Sequence, residues 1–170
     1  MSDQSILIYA VDDEPYVVHL WYQFEADNTF PGVVYDGSSS ADGALEFLRG
    51  LGSSRPKTLF VLDSRMPLGS KTFDAIHRKL LSEMRIDVGT WREDPLLCGP
   101  LLAAYIKLLL PEARIVLLTG FANELQKRRD DPTVDLVLVK CASQMLPKPC
   151  SESRLIQVLR KELEELRKAS

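Results

Sequence analysis

Five short apolar runs punctuate this chain, at residues 5–11, 32–35, 58–62, 114–118 and 134–139. Leu59-Phe60-Val61-Leu62 and Ile115-Val116-Leu117-Leu118 show no polar alternation, the pattern of strands covered on both faces. Segments of helical spacing separate the runs and predict helices over 14–27, 41–50, about 99–110, 122–130 and 151–168. In the last of these, Leu155, Leu159, Leu163 and Leu166 make one apolar stripe facing a core. Its charged end, 161–168, reads as a solvated tail with i,i+4 pairs. Alternation of strand and helix implies βαβ units around a parallel sheet, an α/β domain. In such open sheets ligands bind beyond the carboxyl ends of the strands, where the strand order reverses.

The residues at those ends carry the candidate chemistry. The first run stops at Asp12-Asp13-Glu14-Pro15, the second long one at Asp63, the next at Thr119 and the last at Lys140. Adjacent carboxylates at a strand tip repel one another unless a cation or solvent screens them. Hard cations such as Mg²⁺ select oxygen ligands of this kind. Helix capping by Asp13, with Pro15 in the first turn, explains one acid, but neither Asp12 nor Asp63. Thr119 taken alone only terminates a strand. His19 and His77 have no Cys or His at ligand spacing and read as surface or packing residues.

Composition sets the limits. At 170 residues the chain suits one domain with a modest elaboration, and 45% hydrophobic residues fit a globular protein. A net charge of −3 gives no reason to expect direct nucleic-acid binding. No apolar run reaches membrane-span length and no signal-peptide pattern precedes the first strand, so a cytoplasmic protein is expected. Cys98, Cys141 and Cys150 are odd in number and lack C-x-x-C spacing, which disfavours a disulfide framework or a structural zinc site.

Val11-Asp12-Asp13-Glu14-Pro15, Leu62-Asp63-Ser64-Arg65-Met66-Pro67 and Leu118-Thr119-Gly120 resemble the conserved blocks of response-regulator receiver domains, the CheY-like modules of two-component signalling. The resemblance covers residues 5–67 and 98–166. It implies a flavodoxin-like, doubly wound five-stranded parallel sheet of order 2-1-3-4-5 with helices on both faces. It also implies a non-enzymatic domain that takes a phosphoryl group from a histidine kinase or phosphotransfer protein and changes its contacts with a downstream protein. By resemblance Asp63 is the phosphoacceptor. Asp12, Asp13, Asp63 and the backbone carbonyl of Arg65 bind Mg²⁺, while Thr119 and a lysine of the last strand bond to phosphoryl oxygens. A phosphatase is less well supported, since Asp63-Ser64-Arg65 lacks a second acid two residues on.

The chain departs from that pattern in three places. Receiver domains usually end the fifth strand in Lys-Pro, present here as Lys148-Pro149, yet residues 143–147 contain Pro147 and make a poor central strand. Residues 134–139 are richer in β-branched and apolar side chains, so Lys140 is expected as the site lysine, with Lys148 the alternative and 141–150 an extra loop. Within a single domain spanning 1–170, residues 68–97 form an insertion after the third strand. Its first half, 70–84, reads as a helix opening from a Ser70 cap, with Phe73, Ile76, Leu80 and Met84 in register. Its second half, 85–97, reads as the more mobile loop. Neither candidate last strand carries the aromatic residue that family members use in switching, which motivates an alternative, a phosphorylation-independent interaction module. After the last helix the chain stops at Lys168-Ala169-Ser170, leaving no room for an output module and suggesting a stand-alone receiver or one domain of a longer protein.

Overall fold

The computed structural model describes residues 5–52 and 55–169. Five parallel strands, β1 (Ile6–Val11), β2 (Val33–Ser38), β3 (Lys57–Asp63), β4 (Arg114–Thr119) and β5 (Gln144–Pro147), form one sheet of order β2-β1-β3-β4-β5. Among the described residues seven α-helices surround it: α1 (Pro15–Ala26), α2 (Ala41–Gly50), α3 (Ser70–Met84), α4 (Cys98–Leu109), α5 (Ala122–Lys127), α6 (Pro132–Cys141) and α7 (Glu152–Lys168). This is the flavodoxin-like arrangement expected from the sequence.

Alternate side chains of the central strands feed two cores. Ile8, Leu59, Val61, Val116 and Leu118 meet Trp21 and Phe24 of α1 and the Leu155, Leu159, Leu163, Leu166 stripe of α7. Tyr9, Phe60, Leu62, Ile115 and Leu117 meet α2, α4 and α6 on the opposite face. Arg114 at the start of β4 donates to the fully buried Glu162 at 2.7 Å, tying α7 to the sheet.

Residues 134–139 are helix, not strand. Asp131 caps α6, its carboxylate accepting from Thr133 N at 2.8 Å, and Pro132 occupies the first turn. Val134, Val137 and Cys141 then fall on the buried face, while Leu136 and Val139 face solvent. Spacing of three and four residues overrides β propensity here. The fifth strand is β5, and its Pro147 is tolerated because β5 is an edge strand and Pro147 is its last residue.

The insertion also differs from expectation. Its helix is α3, but Ser70 is the first helical residue and Gly69 the N-cap, without a side-chain cap bond. Residues 85–97 contain two 3₁₀ turns and bury Ile86, Val88, Trp91 and Leu97 in the same core as Phe73, Ile76 and Leu80. The second half is therefore packed structure rather than loose loop. As a result most of α4 is enclosed, with Leu101, Leu102, Ala103, Ala104 and Ile106 buried and Tyr105 and Lys107 half-buried, in keeping with its nearly unbroken apolar sequence.

Candidate functional site

Register brings the strand ends level. Val11 lies opposite Leu62, Asp63 opposite Leu118, and Thr119 opposite Pro147. The residues just beyond, Asp12 and Lys148, therefore emerge beside Asp63 and Thr119 at one sheet edge.

Asp12 is 3% exposed. One of its oxygens accepts from Glu14 N at 2.9 Å and the other from Lys148 Nζ at 2.7 Å. Lys148 Nζ also lies 3.5 Å from Asp63 and 3.5 Å from Glu14. Asp63, 6% exposed, accepts from Arg65 N at 3.3 Å. Burial pushes the Asp63 carboxyl up to about 6; Lys148 opposes the rise and Asp12 adds to it. Burial raises Asp12 as well, against the hydrogen bond from Lys148. For Lys148, burial works to lower the ammonium pKa, but the bond to Asp12 and the charges of Asp12 and Asp63 outweigh it and leave it raised.

Lys140 is not part of this cluster. It sits in the last turn of α6, solvent-exposed, because the segment expected to be its strand is a helix. Residues 141–150 are not an extra loop over the site; they contain β5 and the lysine that reaches it. Lys148, the alternative offered by the Lys148-Pro149 dipeptide, is the lysine in the cluster, and the bond between the two residues is cis.

Two hydroxyls complete the picture. Thr119 and Ser64, both buried, share a hydrogen bond, and Thr119 Oγ1 also accepts from Phe121 N at 3.0 Å. Ser64 was not singled out from the sequence, since a lone serine beside an aspartate carries no pattern. Arg65 places its guanidinium 4.8 Å from the centre of the Phe121 ring, a cation–π contact between the loops after β3 and β4. The insertion reaches the rim as well. Pro95 borders the open cleft of about 630 Å³ shared by Asp13, Asp63, Arg65, Phe121 and Lys148. Asp94 pairs with Arg128, beyond α5, at 2.9 Å.

Asp12, Asp13 and Asp63 each place a carboxylate oxygen within 4.8 Å of the others. An all-oxygen cluster of this size suits a hard divalent cation. Exposed Asp13, with no partner among the described residues, is the member most open to one. The donor set therefore fits Mg²⁺.

Sheet order and this edge cluster together have the form of the response-regulator receiver fold. A response regulator receiver domain protein from Clostridium thermocellum is 15% identical with a TM-score of 0.61, covering 97% of this chain and 99% of that one. NtrX from Brucella abortus is 23% identical with a TM-score of 0.59, covering 95% of this chain but only 27% of its own. An adenylate cyclase from Rhodopirellula baltica is 15% identical with a TM-score of 0.58, covering 94% of this chain and 88% of that one. These likenesses establish the receiver fold and carry no activity with them. Neither protein-family models nor curated proteins match the sequence. No helix among the described residues is long and apolar enough to cross a membrane.

Proposed function

We propose that this chain is a phospho-accepting receiver of two-component signalling, with Asp63 the acceptor. The observation that carries the reading is Lys148 Nζ, 2.7 Å from Asp12 and 3.5 Å from Asp63, beside the threonine at the tip of the neighbouring strand. Phosphoryl transfer depends on positioning and charge neutralisation more than on covalent help from the protein. Ionised Asp63 attacks the phosphorus of a kinase or phosphotransfer-protein phosphohistidine, a new O–P bond forms, and the P–N bond breaks. Lys148 moves its charge toward a phosphoryl oxygen, and the Thr119 hydroxyl, which accepts from Ser64 Oγ and Phe121 N, donates its own proton to another such oxygen. Bound through Asp12, Asp13, Asp63 and the Arg65 carbonyl, Mg²⁺ would neutralise charge between acceptor and incoming phosphoryl group. The domain then acts by altered contacts with a downstream protein and is not itself an enzyme.

Intact-mass spectrometry after acetyl phosphate treatment, with and without Mg²⁺, tests this. A single Mg²⁺-dependent phosphoryl adduct, absent from Asp63→Asn, is expected. No adduct, or one that persists in Asp63→Asn, overturns the reading.

The packed insertion at the cleft rim favours one competing reading, a phosphorylation-independent interaction module on the same fold. It predicts partner binding that is indifferent to both Asp63→Asn and Mg²⁺.

A further inference from the structure

Ser64, the first residue after β3, and Thr119, the last of β4, follow directly on Asp63 and Leu118, which lie opposite each other on the two neighbouring strands. Both are 0% exposed, so their hydroxyls depend on protein partners rather than on solvent. The Ser64 carbonyl accepts from Gly99 N at 3.0 Å, which fixes its backbone against α4. Its hydroxyl donates to Thr119 Oγ1, and Phe121 N donates to the same oxygen at 3.0 Å.

A hydroxyl has one proton and two lone pairs. Both lone pairs of Thr119 Oγ1 are therefore engaged, and its proton is confined to the direction that remains. No group among the described residues accepts that proton. A buried donor without an acceptor is rare, and an incoming phosphoryl oxygen would supply the missing one. Without the Ser64 hydroxyl, one lone pair falls empty and the Thr119 hydroxyl is free to turn its proton elsewhere.

We propose that Ser64 is a positioning residue for phosphoryl transfer: by occupying one lone pair of Thr119 Oγ1, it keeps the Thr119 proton uncommitted and aimed for a phosphoryl oxygen. This role requires Asp63 to be the phosphoacceptor, as proposed above. A donor fixed before the reaction costs no reorganisation while charge develops on the phosphoryl oxygens. Ser64 acts only through Thr119, and that separates it from a residue that merely fills space beside α4. A space-filling serine would affect the rate, if at all, whether or not position 119 carries a hydroxyl.

The test is the rate of adduct formation with acetyl phosphate at saturating Mg²⁺, followed by intact mass, in wild type, Ser64→Ala, Thr119→Val and the double variant. Ser64→Ala should slow the reaction about tenfold, less than the roughly 100- to 1,000-fold that loss of a direct transition-state donor costs. Thr119→Val should be slower still, and adding Ser64→Ala to it should change the rate by less than about twofold. The Mg²⁺ dissociation constant, from the rise of the melting midpoint with Mg²⁺, should be the same in Ser64→Ala as in wild type. Ser64→Cys, close in shape but a weak donor, should be slowed as well, and it carries the same cycle if the alanine variant does not fold. An unchanged rate in Ser64→Ala overturns the assignment, as does a faster one, the result expected if Thr119 instead donates to Ser64. Effects that multiply in the double variant, or a loss of Mg²⁺ affinity in Ser64→Ala, overturn it too. Absence of any adduct in wild type overturns the phospho-accepting function and this role with it, whereas a wild-type adduct with Ser64→Ala unaffected overturns this role alone.

Discussion

Asp63 is held in tension between chemistry and folding. Its carboxyl, displaced to about 6 mainly by burial, binds its proton more tightly in the folded chain than in the unfolded one. Between about pH 4 and pH 6 the folded state therefore carries more protons, and stability falls as pH rises through that window. Asp63→Asn removes the buried charge. The variant should be more stable than wild type at pH 7 by on the order of 2 kcal/mol, and its stability should vary less between pH 4 and 6. Urea denaturation across that range measures both. Lys148→Ala leaves Asp12 and Asp63 facing each other without a cation. It should destabilise the protein by about 1–3 kcal/mol at pH 7 and abolish lasting phosphorylation. Lys140→Ala, on an exposed helix turn, should change stability by less than about 0.5 kcal/mol. Thermal melts and adduct lifetime together distinguish the two lysines. Asp12, Asp13, Asp63 and Thr119 were legible in the sequence because each follows an unmistakable apolar run. Lys148 was legible only as the second choice behind Lys140, because its strand has only four residues and ends in proline, and such a strand looks weak until its edge position is known.

Among the elements, α4 decides how the insertion should be regarded. Its second residue, Gly99, donates its backbone N–H to Ser64 O at 3.0 Å. A Cβ at position 99 would lie 2.4 Å from Asp63 O and 2.6 Å from Ser64 Cα, closer than any packed carbon tolerates. Gly99→Ala should therefore displace the backbone that presents Asp63. The expected result is a loss of about 1–3 kcal/mol in stability and slower phosphorylation, read by denaturation and by the rate of adduct formation. On its outer side α4 is covered by α3 and by Ile86, Val88 and Trp91. Removing residues 70–95 would bare that face, so the truncated chain should lose its cooperative melting transition rather than retain a complete receiver. Trp91→Ala alone should cost about 3–5 kcal/mol. Helical spacing made α3 visible in the sequence. The segment 85–97 was misread because isolated buried residues between glycine, proline and charges show no period. The 134–139 run was misread because its valines fit a strand as well as a helix until the Asp131-Pro132 cap is weighed.

At the scale of the whole molecule, the sheet gathers groups that lie far apart in the chain, and a cation that binds the gathered state should favour it. Mg²⁺ bound only by the folded chain adds stability by mass action, about 2.7 kcal/mol at a hundredfold excess over its dissociation constant. The midpoint of thermal unfolding should therefore rise with Mg²⁺ concentration in wild type and rise much less in Asp13→Asn/Asp63→Asn. Equal stabilisation of both proteins would place the ion elsewhere. The two-faced core was readable in advance, since unbroken apolar strands leave little choice but a sheet covered on both sides, whereas the strand order came only with the resemblance to receiver domains.

The long excursion between β3 and β4 also bears on how the chain reaches its native state. β1 and its neighbours β2 and β3 are joined by single short helical crossovers, but β4 can pair with β3 only after residues 64–113 have been looped out. Loop-closure entropy grows only slowly with length, about 0.6 kcal/mol per doubling, so the excursion weighs little on equilibrium stability. It weighs more on rate, because distant partners must find each other before their contacts bring any return. The β1–β2–β3 half can therefore form early, with α3 and α4 condensing onto it before β4 and β5 dock. Until they dock, the exposed flank of β3 is the surface most open to mispairing with another chain.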